Sequence, residues 1–222
     1  MSQVSDLAPP QKDAPAPSRR RLTPAERLPL LLDAALGEFT ERGYGGASMA
    51  GAASRAGVAK ALIYHYFPGK AELFKAVVRS CIQPVFAEAT RLVAAHPGPR
   101  AELLRRLIEL AYARVIEERR ERVLFKLLLA EADRFPELAA FYHAEVLSPG
   151  LALVGEVVRA GVASGEFRPE AAELPGLAAV LMAPIAMASV WRIMLGPDQA
   201  PAPEAMREAH LALVLNGLTR RS

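Results

Sequence analysis

The sequence predicts an all-α protein with a small N-terminal helix-turn-helix unit and a larger helical unit, about nine helices in all. Apolar residues recur at helical spacing along most of the 222 residues. No useful stretch alternates apolar and polar residues as a strand would, and no internal repeat appears. Pro and Gly clusters separate the periodic segments and indicate where the helices end.

The first 21 residues differ in composition from the rest of the chain. They contain several prolines among polar residues and no apolar signal core, so we expect a disordered arm over 1–21. The arm ends in the basic triplet Arg19, Arg20 and Arg21, which could follow a phosphate backbone or enter a minor groove. A purely solubilising tail is an equal alternative. Cys81 is the single cysteine, which excludes an internal disulfide and fits a reducing cytoplasm.

Positive charge is concentrated in the first third of the chain. Residues 19–80 hold ten Lys and Arg against five Asp and Glu, whereas residues 81–222 hold sixteen against seventeen. Lys and Arg that neutralise phosphates release counterions, which is the sequence-independent part of DNA affinity. The uneven distribution favours a nucleic-acid partner for the N-terminal unit, and a solvated charged surface is the alternative.

The first predicted helix begins with a capping signal. Thr23 suits the N-cap, Pro24 the first helical position, and Glu26 can reach back to the cap. We expect Pro29 to kink the helix or to delay its start, and Gly43 to end it. The apolar stripe of this helix consists of Leu28, Leu32, Ala35, Leu36 and Phe39.

Residues 48–66 have the spacing of a helix-turn-helix. Ser48 suits an N-cap, small Ala53 allows close helix crossing, Gly57 accepts the turn, and Ile63 fills the shared core. The outward face of the second helix is polar enough to be wetted and short enough to enter a major groove. This face carries Lys60, Ala61, Tyr64 and His65.

The remaining helices are predicted from periodicity and breakers. They cover residues 70 to about 94, 102–117, 123–129, 136–163, 170–195 and 204–218. We expect a turn over 118–121 and a kink at Pro149. The uncharged run 174–191 is long enough to span a membrane, but Pro175 and Pro184 interrupt it, which favours a buried or subunit-pairing helix.

Several motifs within residues 23–74 together resemble the N-terminal domain of TetR-family transcriptional regulators. The helices that follow are similar in number and length to the effector-binding and dimerisation domain of that family. The segments that carry the resemblance are Leu32-Asp33-Ala34-Ala35-Leu36, Phe39, Arg42-Gly43-Tyr44, Ala56-Gly57-Val58, Leu62-Ile63-Tyr64-His65-Tyr66-Phe67 and Lys70-Ala71-Glu72-Leu73-Phe74.

The resemblance implies a division of labour along the chain. Residues 22–69 would bind DNA, and residues 70–222 would bind a ligand and dimerise. It implies that Lys60 and Ala61 face base edges and that Tyr64, His65 and Lys70 face phosphates. The full implied contact set is Ser48, Ala59, Lys60, Ala61, Tyr64, His65 and Lys70.

The sequence departs from the family pattern at four positions. Ala59 stands where a capping Ser is common, Ala61 where Gly is common, and Ala52 where a larger aliphatic residue is common. Gly51 lies inside the first helix of the motif, where glycine costs roughly 0.5–1 kcal/mol relative to alanine.

The function that the resemblance implies is a ligand-responsive, cytoplasmic, homodimeric repressor. Its operator would be double-stranded DNA, and a small hydrophobic or aromatic effector would release it by tilting the connecting helix. We expect pairing through the last two helices, because they carry more apolar surface than one subunit can hide. The candidate pocket residues are large side chains on the surrounding helices: Phe86, Tyr112, Phe125, Leu129, Tyr142, Met182, Met187 and Trp191.

Two other function classes remain open alternatives. An enzyme would need convergent groups, but the four histidines lie far apart, and no metal, nucleotide or cofactor motif is present, so we predict no enzyme, metal or cofactor. Glu131 and Asp133 point to different helix faces, which favours solvated or capping roles. A protein-interaction module would differ from a DNA-binding protein by lacking a steep salt dependence of DNA affinity.

Overall fold

The computed structural model describes residues 23–220, which form nine helices. The predicted arm, including Arg19, Arg20 and Arg21, lies outside the described residues. The helices are α1 Pro24–Gly46, α2 Met49–Arg55, α3 Lys60–Tyr66, α4 Lys70–Ala95, α5 Arg100–Tyr112 with a π-helical end Ala113–Glu117, α6 Arg119–Glu131, α7 Pro136–Ala163, α8 Leu177–Leu195 and α9 Pro203–Leu218. Residues 23–220 contain no strand, only one antiparallel bridge between Phe167 and Thr219.

Helix α1 begins at its predicted cap. The Thr23 hydroxyl accepts the Glu26 N–H at 3.3 Å, and the Glu26 carboxylate accepts the Thr23 N–H at 2.9 Å. The helix continues through Pro29, so the delayed start was wrong, and Gly43 breaks it with φ 67°. Leu28, predicted to belong to the apolar stripe, is exposed, whereas Leu31 is fully buried. The buried face of α1 therefore includes Leu31 in place of Leu28.

The apolar core of the N-terminal unit extends beyond its three helices. Phe39, Ile63 and Phe74 are almost completely inaccessible and belong to one cluster with residues of α2 and α4. Leu124 of α6 and Leu138 of α7 complete the same cluster. The small unit is therefore packed directly against the larger one, since two helices of the latter supply part of its core.

Two helix boundaries and one segment inside a helix differ from the sequence prediction. Helix α6 begins at Arg119, so the expected turn over 118–121 shrinks to Glu118. A π-helical segment, His143–Leu147, precedes Pro149, where the proline ring crowds the carbonyl four residues earlier. The predicted helix 170–195 is split into a short 3₁₀ helix, Pro169–Ala172, and α8, because Gly176 adopts φ 77°.

A second core joins α5, α7, α8 and α9. Its largest fully buried side chains are Tyr112 and Phe167. His210 is buried beside the Tyr112 ring at a centroid distance of 5.8 Å, and burial lowers the pKa of its imidazole. The pocket candidate Tyr112 does not line the cavity described below, because its ring packs in the core between helices.

Two helices, Pro136–Ala163 and Leu177–Leu195, are long and apolar enough to cross a membrane by length and composition alone. The core helix of a soluble protein meets the same criterion, so the observation is weak evidence for a membrane. Helix α7 contributes side chains to both cores described above, and α8 contributes side chains to the second.

Candidate nucleic-acid interface and apolar cavity

The candidate nucleic-acid interface is the outer face of α3. Ile63 anchors the helix by complete burial, while the opposite face is exposed. Tyr64 is 45% exposed, and the Lys60 ammonium lies 5.8 Å from the centre of its ring. A cation and a phenol that project together from a short helix have the chemistry to contact phosphates and base edges. The exposed residues of this face are Ala59, Lys60, Ala61, Tyr64 and His65.

The turn before α3 has the predicted geometry. Gly57 adopts φ 66°, a conformation that favours glycine, and its neighbour Val58 donates its N–H to the Ala53 carbonyl at 3.0 Å. Ala59 occupies the N-cap of α3 and supplies no side-chain cap, as expected for alanine. The backbone N–H groups at the start of α3 are therefore not occupied by that side chain.

A buried carboxylate holds the start of α2. Ser48 caps the helix by accepting the Gly51 N–H at 2.9 Å, and the Ser48 N–H donates to Glu38 at 3.3 Å. Glu38 is only 4% exposed and lies near the guanidinium groups of Arg42 and Arg55. A Cβ at position 51 would collide with the Glu38 carboxylate, which explains the glycine. Glu38 was not predicted to be buried, because a charged residue on a helix is normally exposed to solvent.

Lys70 is engaged inside the protein. Its ammonium donates to the carbonyls of Tyr44 and Gly45 at 2.8 and 3.1 Å, and it lies 4.8 Å from the centre of the Tyr44 ring. These carbonyls lie in the last turn of α1, after the break at Gly43, where helix-terminal acceptors need partners. These two hydrogen bonds connect α4 to α1 whether or not Lys70 contacts DNA. They leave one of the three ammonium protons for a phosphate.

Tyr44 also links the N-terminal unit to α6. Its backbone N–H donates to the Glu131 carboxylate at 3.0 Å, and its ring packs edge-on against Phe135 with centroids 4.8 Å apart. Glu131 is buried, contrary to a solvated role, and it caps a backbone N–H from a distant part of the chain. Its second oxygen has no hydrogen-bond partner among the described residues and lies 3.9 Å from Arg134.

We expect Glu131→Ala to lower the free energy of unfolding by about 1–3 kcal/mol, because it leaves the buried Tyr44 N–H without an acceptor. Glu131→Gln serves as the matched variant, since its amide oxygen can still accept that hydrogen bond, and it should lose less than half as much. Urea unfolding followed by circular dichroism measures both. Equal losses for the two variants would contradict the role given to this hydrogen bond.

An apolar cavity of about 200 Å³ lies between helices α4 to α8. Four of the eight predicted pocket residues line it, namely Phe86, Phe125, Tyr142 and Met182. The lining is apolar except for the carboxyl of Glu121 and the phenol of Tyr142. Burial raises the pKa values of both groups. The arrangement can hold a small apolar molecule and offers two polar groups to orient it.

Four predicted pocket residues do not line this cavity. Leu129 is half exposed on the outer side of α6, and Tyr112 belongs to the second core. Met187 and Trp191 lie on the exposed side of α8, with exposed fractions of 43% and 37%. All four side chains are large and mainly apolar, but the rotation of each helix about its axis decides which side faces the cavity.

Glu121 was not predicted as a pocket residue. It lies three residues before Leu124, four before Phe125 and seven before Leu128, so it shares the inward stripe of α6. An acidic residue within an apolar stripe was the available signal, and the expected turn over 118–121 concealed it.

An exposed apolar stripe runs along α8. Val180, Met187, Trp191 and Met194 recur at spacings of seven, four and three residues, so they share one helix face. Leu213 of α9 is 76% exposed. Among the described residues, no group of three or more His, Cys, Asp or Glu side chains could hold a metal ion.

Comparison with known proteins gives the fold and the interface a context. A short exposed helix after a glycine turn, carried beside a helical bundle with an apolar cavity, defines a helix-turn-helix protein with a ligand-sized pocket. Residues 31–77 match the family profile described as bacterial regulatory proteins, tetR family, and residues 98–209 match the tetracyclin repressor-like C-terminal domain. The chain therefore belongs to the TetR family of bacterial transcriptional regulators.

A curated relative is the HTH-type transcriptional regulator BetI of Burkholderia ambifaria, which is 36% identical over 74 residues. The match covers 33% of this chain and 38% of the relative. The relatives and the family are transcriptional regulators, in agreement with the prediction that the chain is not an enzyme.

Two solved structures share the overall fold. A transcriptional regulator from Saccharomonospora viridis in complex with choline has a TM-score of 0.71 and 22% identity, covering 89% of this chain and 100% of its own. The fatty acid degradation regulator FadR from Bacillus halodurans has a TM-score of 0.71 and 22% identity, covering 91% of this chain and 100% of its own. These matches confirm the predicted all-α architecture.

Proposed function

We propose that the chain is a cytoplasmic homodimeric repressor that leaves its operator when a small hydrophobic or aromatic molecule binds the cavity. The observation that carries the proposal is the exposed polar face of α3, anchored by buried Ile63, beside a helical unit that encloses an apolar cavity. In this account, residues 22–69 bind DNA, and residues 70–222 bind the effector and dimerise.

The proposed DNA contacts follow from exposure and chemistry. Lys60 and Ala61 face base edges, and Tyr64 and His65 contact flanking phosphates, since all four are exposed on one helix. Ser48 and Ala59 contribute through the starts of α2 and α3, where backbone N–H groups favour anions. Lys70 adds at most one hydrogen bond to phosphate.

In the proposed effector response, the signal passes through helices that contact both the cavity and the N-terminal unit. Helix α4 begins at the N-terminal unit with Lys70, and its Phe86 lines the cavity. Helix α6 lines the cavity with Phe125 and contacts Tyr44 of the N-terminal unit through Glu131. A ligand that fits the cavity better when these helices shift would favour the state with low DNA affinity. Ligand-bound and fatty-acid-related regulators among the structural neighbours support an effector role for this cavity.

The proposal is tested by a mobility-shift assay with the DNA upstream of the protein's own gene. We expect specific binding that weakens steeply between 50 and 200 mM salt, because phosphate contacts release counterions. A scrambled duplex of equal length is the control. Binding that is weak, insensitive to salt and equal for both duplexes would favour the protein-interaction alternative instead.

A further inference from the structure

We propose that the effector is an organic cation, with an apolar body held in the cavity and an ammonium-type group held by the Glu121 carboxylate. This inference rests on the proposed effector role of the cavity. Three features support it: the position of Glu121, the aromatic side chains that also line the cavity, and the lack of Lys, Arg and His among the described lining residues.

Glu121 supplies the one carboxyl group among the described lining residues, which are otherwise apolar except for the Tyr142 phenol. It lies on the inward stripe of α6 with Leu124 and Leu128, which line the cavity and also belong to the core of the N-terminal unit. Among residues 23–220, its carboxylate forms no ion pair and no hydrogen bond with another side chain. The neighbouring arginines are committed elsewhere: Arg120 pairs with Asp33 at 3.0 Å, and Arg114 pairs with Glu88.

A partly buried carboxylate without a cationic partner is costly, since burial disfavours the charged form. The raised pKa of Glu121 reports this cost, and burial is its largest cause. A ligand that brings its own positive charge removes the cost and gains a charge-assisted hydrogen bond. The site therefore discriminates between cations and other ligands of the same shape.

Aromatic side chains in the same wall favour the same charge. Phe86, Phe125 and Tyr142 line the cavity. The face of an aromatic ring attracts an ammonium group, and the attraction is stronger when the group is desolvated. An apolar wall with aromatic rings and one carboxylate is a chemical match for a lipophilic amine or quaternary ammonium compound.

An anionic ligand lacks a partner in this cavity. No Lys, Arg or His side chain is among the lining residues that the structure describes. A carboxylate head group would meet either the Glu121 carboxylate, which repels it, or apolar side chains, which do not solvate it. Fatty-acid anions are therefore disfavoured here, although the overall fold is shared with a fatty acid degradation regulator.

Three probes with the same tail test the charge preference: n-octylammonium, 1-octanol and n-octanoate, each titrated by calorimetry into the full chain at pH 7. We expect n-octylammonium to bind at least about tenfold more tightly than 1-octanol, and n-octanoate to bind most weakly. In Glu121→Gln, which preserves side-chain volume, the preference for the ammonium should fall by about tenfold or more. Glu156→Gln is the matched control, because Glu156 is exposed on α7 and does not line the cavity.

Tightest binding of n-octanoate, or an unchanged ammonium preference in Glu121→Gln, would overturn the inference and leave the effector cavity intact. No binding of any probe would overturn both the inference and the effector part of the proposed function. Operator affinity, measured separately, tests the DNA-binding part of the proposed function.

Proton release provides a second measurement that needs no variant. A bound cation lowers the pKa of the Glu121 carboxyl, so binding below neutral pH should release protons, detectable in buffers with different ionisation heats. The charged and titratable groups around this carboxyl are Glu118, Arg120, Arg114, Cys81 and Tyr142. Proton uptake on n-octylammonium binding would contradict the proposal.

Discussion

A protein carrying both Lys60→Ala and Tyr64→Ala will bind operator DNA at least about 100-fold more weakly than the unchanged protein. Each lost contact to a base or phosphate costs about 1–3 kcal/mol, and a dimer loses each contact twice. Both side chains are exposed on α3, so their removal leaves the Ile63 anchor and the N-terminal core in place. Fluorescence anisotropy with a labelled operator duplex measures the change.

Lys126→Ala is the matched control for the loss of a lysine. Lys126 is exposed on α6 and lies outside the helix-turn-helix, so its removal should leave DNA affinity within about twofold. The double variant should also keep the unfolding midpoint of the unchanged protein. If the double variant retains full DNA affinity while folded, α3 is not the reading helix.

Substitution of Met194 and Leu213 by glutamate should raise the dimer dissociation constant at least about 100-fold. Both residues are more than 70% exposed in the single chain, and in the proposed dimer each would enter an apolar interface. An unpaired charge in such an interface costs several kcal/mol, and two-fold symmetry doubles the number of charges. Light scattering at micromolar concentration should then give the 23.9 kDa mass of one chain instead of twice that value.

Leu129→Glu is the control for adding a charge at an exposed leucine. Leu129 is half exposed on α6, outside the α8 and α9 stripe, so this variant should remain dimeric. The Met194 and Leu213 variant should also bind the operator more weakly, because it no longer dimerises and one subunit contacts only one half-site. If the unchanged protein is monomeric, or if the variant with both glutamates is still a dimer, the proposal that the last two helices form the interface is contradicted.

Local signals predicted the helix starts and turns well. Thr23 and Ser48 cap helices as their sequence contexts indicate, and Gly57 makes the turn that its position requires. Each of these features depends on hydrogen bonds or dihedral angles within a few residues. The break before α8 also had a local cause in Gly176, but the apolar run around it outweighed that signal in the sequence.

The burial of charged side chains could not be read from local patterns. The Glu131 carboxylate meets a backbone N–H 87 residues away, and Glu38 reaches Ser48 across a helix crossing. Periodicity assigns such residues to solvent, because it records the side chain's own polarity and not its distant partner.

The cavity was half predicted for a related reason. Of the eight candidates, Phe86, Phe125, Tyr142 and Met182 line the cavity, whereas Trp191 faces outward. The choice between inward and outward faces depends on how each apolar helix is rotated in the bundle, and α8 is apolar on nearly every side. Periodicity is least informative for such a helix.

The most direct test of the central claim is selection from a random double-stranded DNA library by the full chain, followed by sequencing of the bound fraction. A dimer with two reading helices predicts an enriched two-fold symmetric sequence, with half-site centres separated by about one helical turn or a small multiple of it. No enriched sequence, or an enriched sequence without two related halves, would contradict the account of the chain as a homodimeric operator-binding regulator.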